Sequence, residues 1–272
     1  MNRTLAELGE FGLLDELERR GLARAIESDA ARVGDLVVTQ DALVEDVHFR
    51  LEWMSWRDLG FRAAAVNLSD LAASGADPEG LIVSLGLPPE LELATIVELY
   101  EGLNEPGVPV LGGDATKADR IYLSVTALGR SPRVPGRSGA RPGDVLVVTG
   151  PLGASGAAFR EHRFIPPPIR IEEGKRLAAV AHAMLDISDG LEQDAGHIAR
   201  RSGCKLAIDL ERVPLAEGVT TQDLGFGEDF ELLAATPDPL GFSQIGRCEE
   251  GEGVEIRWGD RRVRLQGWDH FA

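Results

Sequence analysis

The stretch SPRVPGRSGARPGD, from Ser131 to Asp144, constrains this chain more than any other. Its prolines lack a backbone donor and fix φ, and its glycines loosen the chain. A helix or a core strand does not run through such a segment, so it reads as a linker. It divides the 272 residues into two halves, 1–136 and 137–272, at about 100–200 residues per domain. Each half alternates helical and extended patterns irregularly. That predicts two α+β or α/β units, each with a sheet packed on helices.

In the first half, Thr4 and Glu7 form a capping box ahead of a leucine stripe. A strand is expected at Leu36–Val38, ending in Thr39-Gln40-Asp41. Ser55 and Asp58 open a helix that runs through FRAAAVNLSDLAAS to Gly75. Further strands are expected at Leu81–Leu87, Val108–Leu111 (running into a Gly112-Gly113-Asp114 turn) and Ile121–Leu128, with a helix over Glu92–Leu103. In the second half, strands are expected at Val145–Thr149, Lys205–Leu210, Phe230–Ala235 and Gln244–Cys248. Val254–Trp258 and Arg262–Leu265 flank Gly259-Asp260, a hairpin signal. Helices are expected after Gly153, over Glu172–Ala183, and from Leu191 to about Ser202.

Charge narrows the function classes. Against 28 Lys and Arg stand 45 Asp and Glu, a net charge of −17. Nucleic-acid and anionic-membrane binders need a basic face, so both are excluded as partners. No apolar run reaches the ~20 residues of a membrane span, and MNRTLAELGEFGLL has no signal-peptide core. Cys204 and Cys248 form no CxxC pair, which fits a reduced, cytoplasmic protein and argues against zinc. GPLGASG has neither the dinucleotide spacing nor the following acid, and GxxxxGK[ST], the protein-kinase set, GxSxG and HExxH are all absent.

What remains are carboxylates at the ends of expected elements: Asp41, Asp70 with Asn67 one turn before it, Asp114, the DISDGL pair Asp186 and Asp189, and Glu228-Asp229. Two carboxylates about 4 Å apart repel by roughly 4 kcal/mol at an effective dielectric near 20, so acids that converge need cations. Hard oxygen ligands favour Mg²⁺ or Ca²⁺, and Mg²⁺ is the usual partner of a nucleoside triphosphate.

TQDALVEDVHF, AVNLSDLAASGADP, LGGDATK, RSGARPGD, VTGPLGASGAA, DISDGLEQDAGHI, GEDFELL and GWDHF occur in that order from about Ala25 to the C-terminus. In this the chain resembles the thiamine-monophosphate kinases of the aminoimidazole-ribonucleotide synthetase-like superfamily. The resemblance implies two domains: an N-terminal sheet domain that dimerises and carries the metal and ATP site, and a C-terminal α/β domain. It implies transfer of the γ-phosphoryl of ATP to thiamine monophosphate with several Mg²⁺ ions, in a homodimer. It places Asp29, Thr39, Gln40, Asp41, Asp70, Asp114, Asp186 and Asp189 at metal-ligand positions, and Asp29, Asp41, Asp70, Asp114 and Asp186 at the reaction centre. Gly113, Asp114, Arg137 and Ser188 fall at nucleotide-contacting positions, and His48, Glu228 and Trp268 at substrate-contacting positions.

Each implied role fits the side chain. Arg137 offers a planar donor fork to phosphate oxygens, and Trp268 a face for a cationic thiazolium ring. The acceptor is a phosphate monoester with a second pKa of about 6, so no general base is required. The chain departs from the family pattern at Glu27 and Ser28, at Gln40 in place of Thr or Ser, and at Phe226 in place of the first glycine of GGED. The segments Phe159 to Pro168 and Val213 to Phe226 are shorter than is usual. Two alternatives stay open at this level. One is a sister enzyme using ATP on another acceptor; the other is a non-catalytic binder of nucleotides or thiamine phosphates.

Overall fold

The computed structural model describes residues 4–23 and 28–268. Helix α1 (Leu5–Arg19) starts at the expected Thr4–Glu7 capping box. Five strands form the first sheet: β1 (Ala31–Val33), β2 (Leu36–Val44), β3 (Asp77–Leu87), β4 (Val110–Lys117) and β5 (Tyr122–Arg130). They lie in the order β1-β2-β5-β3-β4, with β3 and β4 parallel and the other pairs antiparallel. Helices α2 (Trp56–Ala73) and α3 (Leu93–Asn104) pack on one face, and the opposite face carries the exposed apolar side chains Ile82 and Tyr122.

Seven strands build the second sheet: β6 (Val145–Val148), β7 (Ala183–Asp186), β8 (Lys205–Asp209), β9 (Leu232–Thr236), β10 (Ser243–Glu249), β11 (Gly253–Trp258) and β12 (Arg261–Val263). Their order is β12-β11-β8-β10-β6-β9-β7. Helices α4 (Ala154–Arg160), α5 (Ile171–Ala178) and α6 (Leu191–Ser202) complete this half. A core of Leu146, Leu185, Leu191, Ile198, Leu206 and their neighbours fills the space between α6 and the sheet.

α2 is the spine of the molecule. The Ser55–Asp58 capping box opens it, Ser55 Oγ accepting the Asp58 N–H at 3.1 Å. It is buried all round, as a helix pressed from both sides must be. One side packs on Val83, Leu85 and Val125 of the first sheet; Ala72 and Ala73 pack on Leu177, Met184 and Leu232 of the second half. Short alanine side chains allow that double approach, and both sheets are thereby referred to one rigid rod.

Three expectations need correction. Thr39-Gln40-Asp41 does not end its strand but lies in the middle of β2, because its polar side chains find partners on both faces. Gly112-Gly113-Asp114 is not a turn but part of edge strand β4. There a Cβ on Gly113 would meet the Val83 carbonyl oxygen at 1.7 Å, so the glycine serves a close strand approach. The helix expected to reach Ala183 ends at Ala178, and Ala183 starts the buried strand β7. The linker carries no helix or strand but is anchored, Arg133 donating to the carbonyl of Ala181 at 2.6 Å.

Candidate active site

Three acids from distant parts of the chain meet beside the C-terminal turns of α2. Asp29 precedes β1, Asp70 sits on α2 and Asp186 ends β7; each offers an oxygen within 4.8 Å of the others. Every supporting contact is made by a neighbouring element. Thr39 Oγ1 donates to Asp70. Ser69 Oγ donates to Asp186 at 2.5 Å, and the Asp186 N–H donates to Asp29 at 3.3 Å. Asn67 Oδ1 accepts the Asp41 N–H at 3.1 Å, which fixes β2 to α2 beside the cluster.

The electrostatics show what the cluster lacks. Burial pushes the carboxyls of Asp29, Asp70 and Asp186 up, and like charges add to the rise at Asp70 and Asp186. Asp186 is raised to about 8. Asp41 is raised to about 6 by burial and by the charges of Asp29 and Asp189. Arg137 gives partial relief, Nη2 lying 2.7 Å and Nε 2.8 Å from Asp29 Oδ1. One guanidinium does not neutralise four acids, and an all-oxygen donor set fits hard divalent cations such as Mg²⁺.

A second trio, Asp189, Asp194 and His197, stands at the start of α6. Asp194 accepts the Asp189 N–H at 3.0 Å and shapes the DISDG turn. Burial and Arg137 hold His197 down to about 3, so its ring is neutral.

Two of the three acceptor-binding candidates, Glu228 and Trp268, are tied to that same turn. The Glu228 N–H donates to the Ser188 carbonyl at 2.8 Å, and the Trp268 N–H to the Asp189 carbonyl at 3.1 Å. Gly227, Glu228 and Phe230 all have positive φ, of 85°, 56° and 51°. For the two non-glycine residues this conformation costs of order 1–3 kcal/mol each. A Cβ on Gly227 would meet the Ser188 oxygen at 2.2 Å, so only glycine lets the two turns lie so close. Arg62 of α2 donates through Nη2 to Glu228 Oε1. Beside them, Trp53 stacks on His162 at 5.0 Å and meets Phe159 edge-on at 5.6 Å, while Phe159 lies 4.6 Å from Phe226. His48 Nδ1 accepts the Val44 N–H at 3.1 Å, which leaves the proton of a neutral ring on Nε2.

Gln40 and Asp114 stand apart from the cluster within one chain. Gln40 Nε2 donates to Ser124 Oγ at 2.9 Å on the open face of the sheet. Asp114 pairs in register with Ser84, shares that open face, and is exposed. β4 lies three strand steps from β2, roughly 14 Å at the usual spacing. A 570 Å³ hollow between edge strand β4 and α3 is lined by Gly113, Asp114 and Tyr100. Tyr100, Arg62 and Ser69 were not singled out by sequence; a buried polar residue on an otherwise apolar α2 was the available signal for the last two. The departure at Glu27 lies outside the described residues, as do Asp269, His270 and Phe271 of GWDHF.

Comparison with known proteins identifies the family and the fold. Residues 27–131 match the family described as AIR synthase related protein, N-terminal domain, and residues 141–258 match its C-terminal domain. The thiamine-monophosphate kinase of Aquifex aeolicus is 35% identical over 98% of this chain and 99% of its own. That of Pyrococcus horikoshii is 37% identical over 87% of this chain and 86% of its own. The solved structure of AaThiL complexed with AMPPCP and TMP superposes with a TM-score of 0.90 at 33% identity, covering 99% of both chains.

Proposed function

Since the chain belongs to the AIR synthase related family, and within it to the thiamine-monophosphate kinases, we propose that it transfers the γ-phosphoryl group of ATP to thiamine monophosphate, giving thiamine diphosphate and ADP. The observation that carries the reading is the buried acid cluster of Asp29, Asp70 and Asp186, held by Thr39 and Ser69 in a fold shared with a relative complexed with AMPPCP and TMP.

Bound Mg²⁺, held by Asp29, Asp70 and Asp186 with Thr39, Asp41 and Asp189 beside them, would neutralise the phosphate oxygens of both reactants. The chain's own groups then orient them. Arg137, already positioned by Asp29, presents its donor fork to the nucleotide, with Ser188 on the adjoining turn. Glu228, His48 and Trp268 orient the acceptor. Its phosphate oxygen is largely deprotonated at neutral pH, so transfer is direct and in line, with positioning as the main contribution.

Asp114 and Gln40 enter the same site when two copies stack the open faces of their first sheets. Ile82, Leu111 and Tyr122 are exposed there, Leu111 lying over Gly80. A homodimer of this kind covers that apolar surface and brings Asp114 and Gly113 of one copy toward the other. The enzyme is assigned to the cytoplasm on its two free cysteines; no helix among the described residues is long and apolar enough to cross a membrane.

The test is product formation. With ATP and Mg²⁺, thiamine monophosphate should yield stoichiometric ADP and thiamine diphosphate, and thiamine or an aminoimidazole precursor should not. No ADP with thiamine monophosphate rejects the reading.

A further inference from the structure

We propose that Arg62 is a positioning residue: from α2 it holds the Glu228 carboxylate in the one orientation that reads the aminopyrimidine end of the acceptor. The proposal rests on the kinase reading above and adds to it the residue that sets acceptor length and ring recognition.

Four observations carry it. Arg62 is 7% exposed, yet its Nε has no hydrogen-bond partner among the described residues. A buried arginine kept for stability alone would have its donors paired, so an orphaned donor calls for another role. Its Nη2 engages only Oε1 of Glu228. Oε2 has no partner among the described residues, and the side chain is 31% exposed, so one carboxylate oxygen remains open to accept from an amino group.

Glu228 is also held from every other side. Its φ is positive, its N–H donates to Ser188, and its carbonyl accepts from Ser155 of α4. An acid fixed in backbone and in side chain is preorganised to read a ligand.

The fourth observation is distance. Arg62 and Asp70 lie eight residues apart on one helix, about 12 Å along its axis. The phosphate end of the acceptor belongs with the acid cluster at Asp70. A phosphate monoester bearing two linked heterocycles is long enough to place its far ring at Arg62 and Glu228. Phe159, one turn beyond Ser155, and Phe226, two residues before Glu228, give that ring an apolar wall, which Trp53 closes from the other half of the chain. Pyrimidine recognition therefore depends on a contact that crosses between the two halves.

The decisive experiment compares two acceptors in the full-length enzyme: thiamine monophosphate, and the hydroxyethylthiazole monophosphate that lacks the pyrimidine. Arg62→Met keeps the aliphatic stem and removes the fork. It should lower kcat/KM for thiamine monophosphate by about tenfold or more, chiefly through KM, the factor expected for one charge-assisted hydrogen bond. With the truncated acceptor the loss should stay under about twofold, and KM for ATP should hold, because only pyrimidine recognition is removed. Arg62→Lys, which restores the charge, should recover most of the discrimination. Equal losses on both acceptors, or none on either, overturn the proposal and make Arg62 structural. If Arg62→Met does not fold, Arg62→Gln takes its place: a loss confined to thiamine monophosphate supports the proposal, and equal losses on both acceptors or none on either overturn it. Wild-type enzyme that ignores thiamine monophosphate removes the kinase reading itself, a result distinct from either.

Discussion

At the C-terminal end of α2, Asp70 faces Asp29 and Asp186, and the charges repel; at the N-terminal end, Arg62 faces Glu228, and the charges pair. The first end is electrostatically incomplete. Its carboxyls are pushed upward by burial and by one another, and Thr39, Ser69 and Arg137 offset this only in part. The second end is complete in charge but leaves one carboxylate oxygen open, next to aromatic rings. The contrast suits the proposed substrate, which has a polyanionic end and a heteroaromatic end: on that reading the repelling end takes metal and phosphate, and the paired end takes the ring.

The largest effect should come from removing a cluster acid. Asp186→Asn or Asp70→Asn should lower kcat by at least about 10³-fold, as expected when a charge-stabilising group is lost from a phosphoryl-transfer site. The same variants should melt higher than wild type without metal at pH 8, because the substitution removes a repulsion. A variant that loses both activity and stability would make these acids structural.

Asp114→Asn should also cost about 100-fold or more in kcat with an unchanged melting curve, since the side chain is exposed. If the partner's sheet delivers Asp114, mixing inactive Asp114→Asn with inactive Asp70→Asn should restore about a quarter of the sites, the fraction expected for random C2 dimers. No recovery after confirmed subunit exchange would place Asp114 in its own chain's site or outside any site.

The two ends should also separate by pH. Asp41 and Asp186 sit at about 6 and about 8 when folded, against an ordinary value of 3.8. Between these limits the folded state binds more protons than the unfolded one. The metal-free protein should therefore lose stability as pH rises from about 4 to about 8, with little further loss from these groups above that. At a concentration 100 times its dissociation constant at pH 8, Mg²⁺ should restore about 2.7 kcal/mol there, and the same concentration should restore less at pH 6, where protons compete for the carboxylates. A metal-free protein that grows more stable across this interval would contradict the repulsive cluster.

The smallest effects belong to the aromatic wall. Trp53→Leu or Phe226→Gly should raise KM for thiamine monophosphate about 3- to 10-fold, the range for one aromatic contact, with kcat and KM for ATP unchanged.

Legibility in the sequence follows the same divide. α2 was readable because the Ser55–Asp58 capping box and a long apolar run agree, and the DISDG turn because its polar residues and glycine interrupt apolar ones. β2 was cut short at Thr39-Gln40-Asp41 because polar residues in mid-strand look like a strand end until both of their partner faces are known. β7 was missed, with Ala183 given to the preceding helix and Asp186 to a turn, because AMLD is a short apolar run with no period of its own. Asp70 and Asp186 stood out as carboxylates at the ends of expected elements, Asp29 was named through the family resemblance, and the structure brings the three together. Arg62 could be noticed as a polar residue in the apolar run of α2, but its pairing was not legible, since its partner lies 166 residues further along the chain. The open face holding Asp114 was hidden for a related reason: Gly-Gly reads as a turn unless the neighbouring strand's approach is known.

The most direct test is a crystal structure with thiamine monophosphate, Mg²⁺ and a non-hydrolysable ATP analogue. The account predicts Mg²⁺ and the acceptor phosphate at Asp29, Asp70 and Asp186, with the pyrimidine amino group within hydrogen-bond reach of Glu228 Oε2 while Arg62 still holds Oε1. A pyrimidine bound away from Glu228, or an acid cluster without metal in the ternary complex, would contradict it.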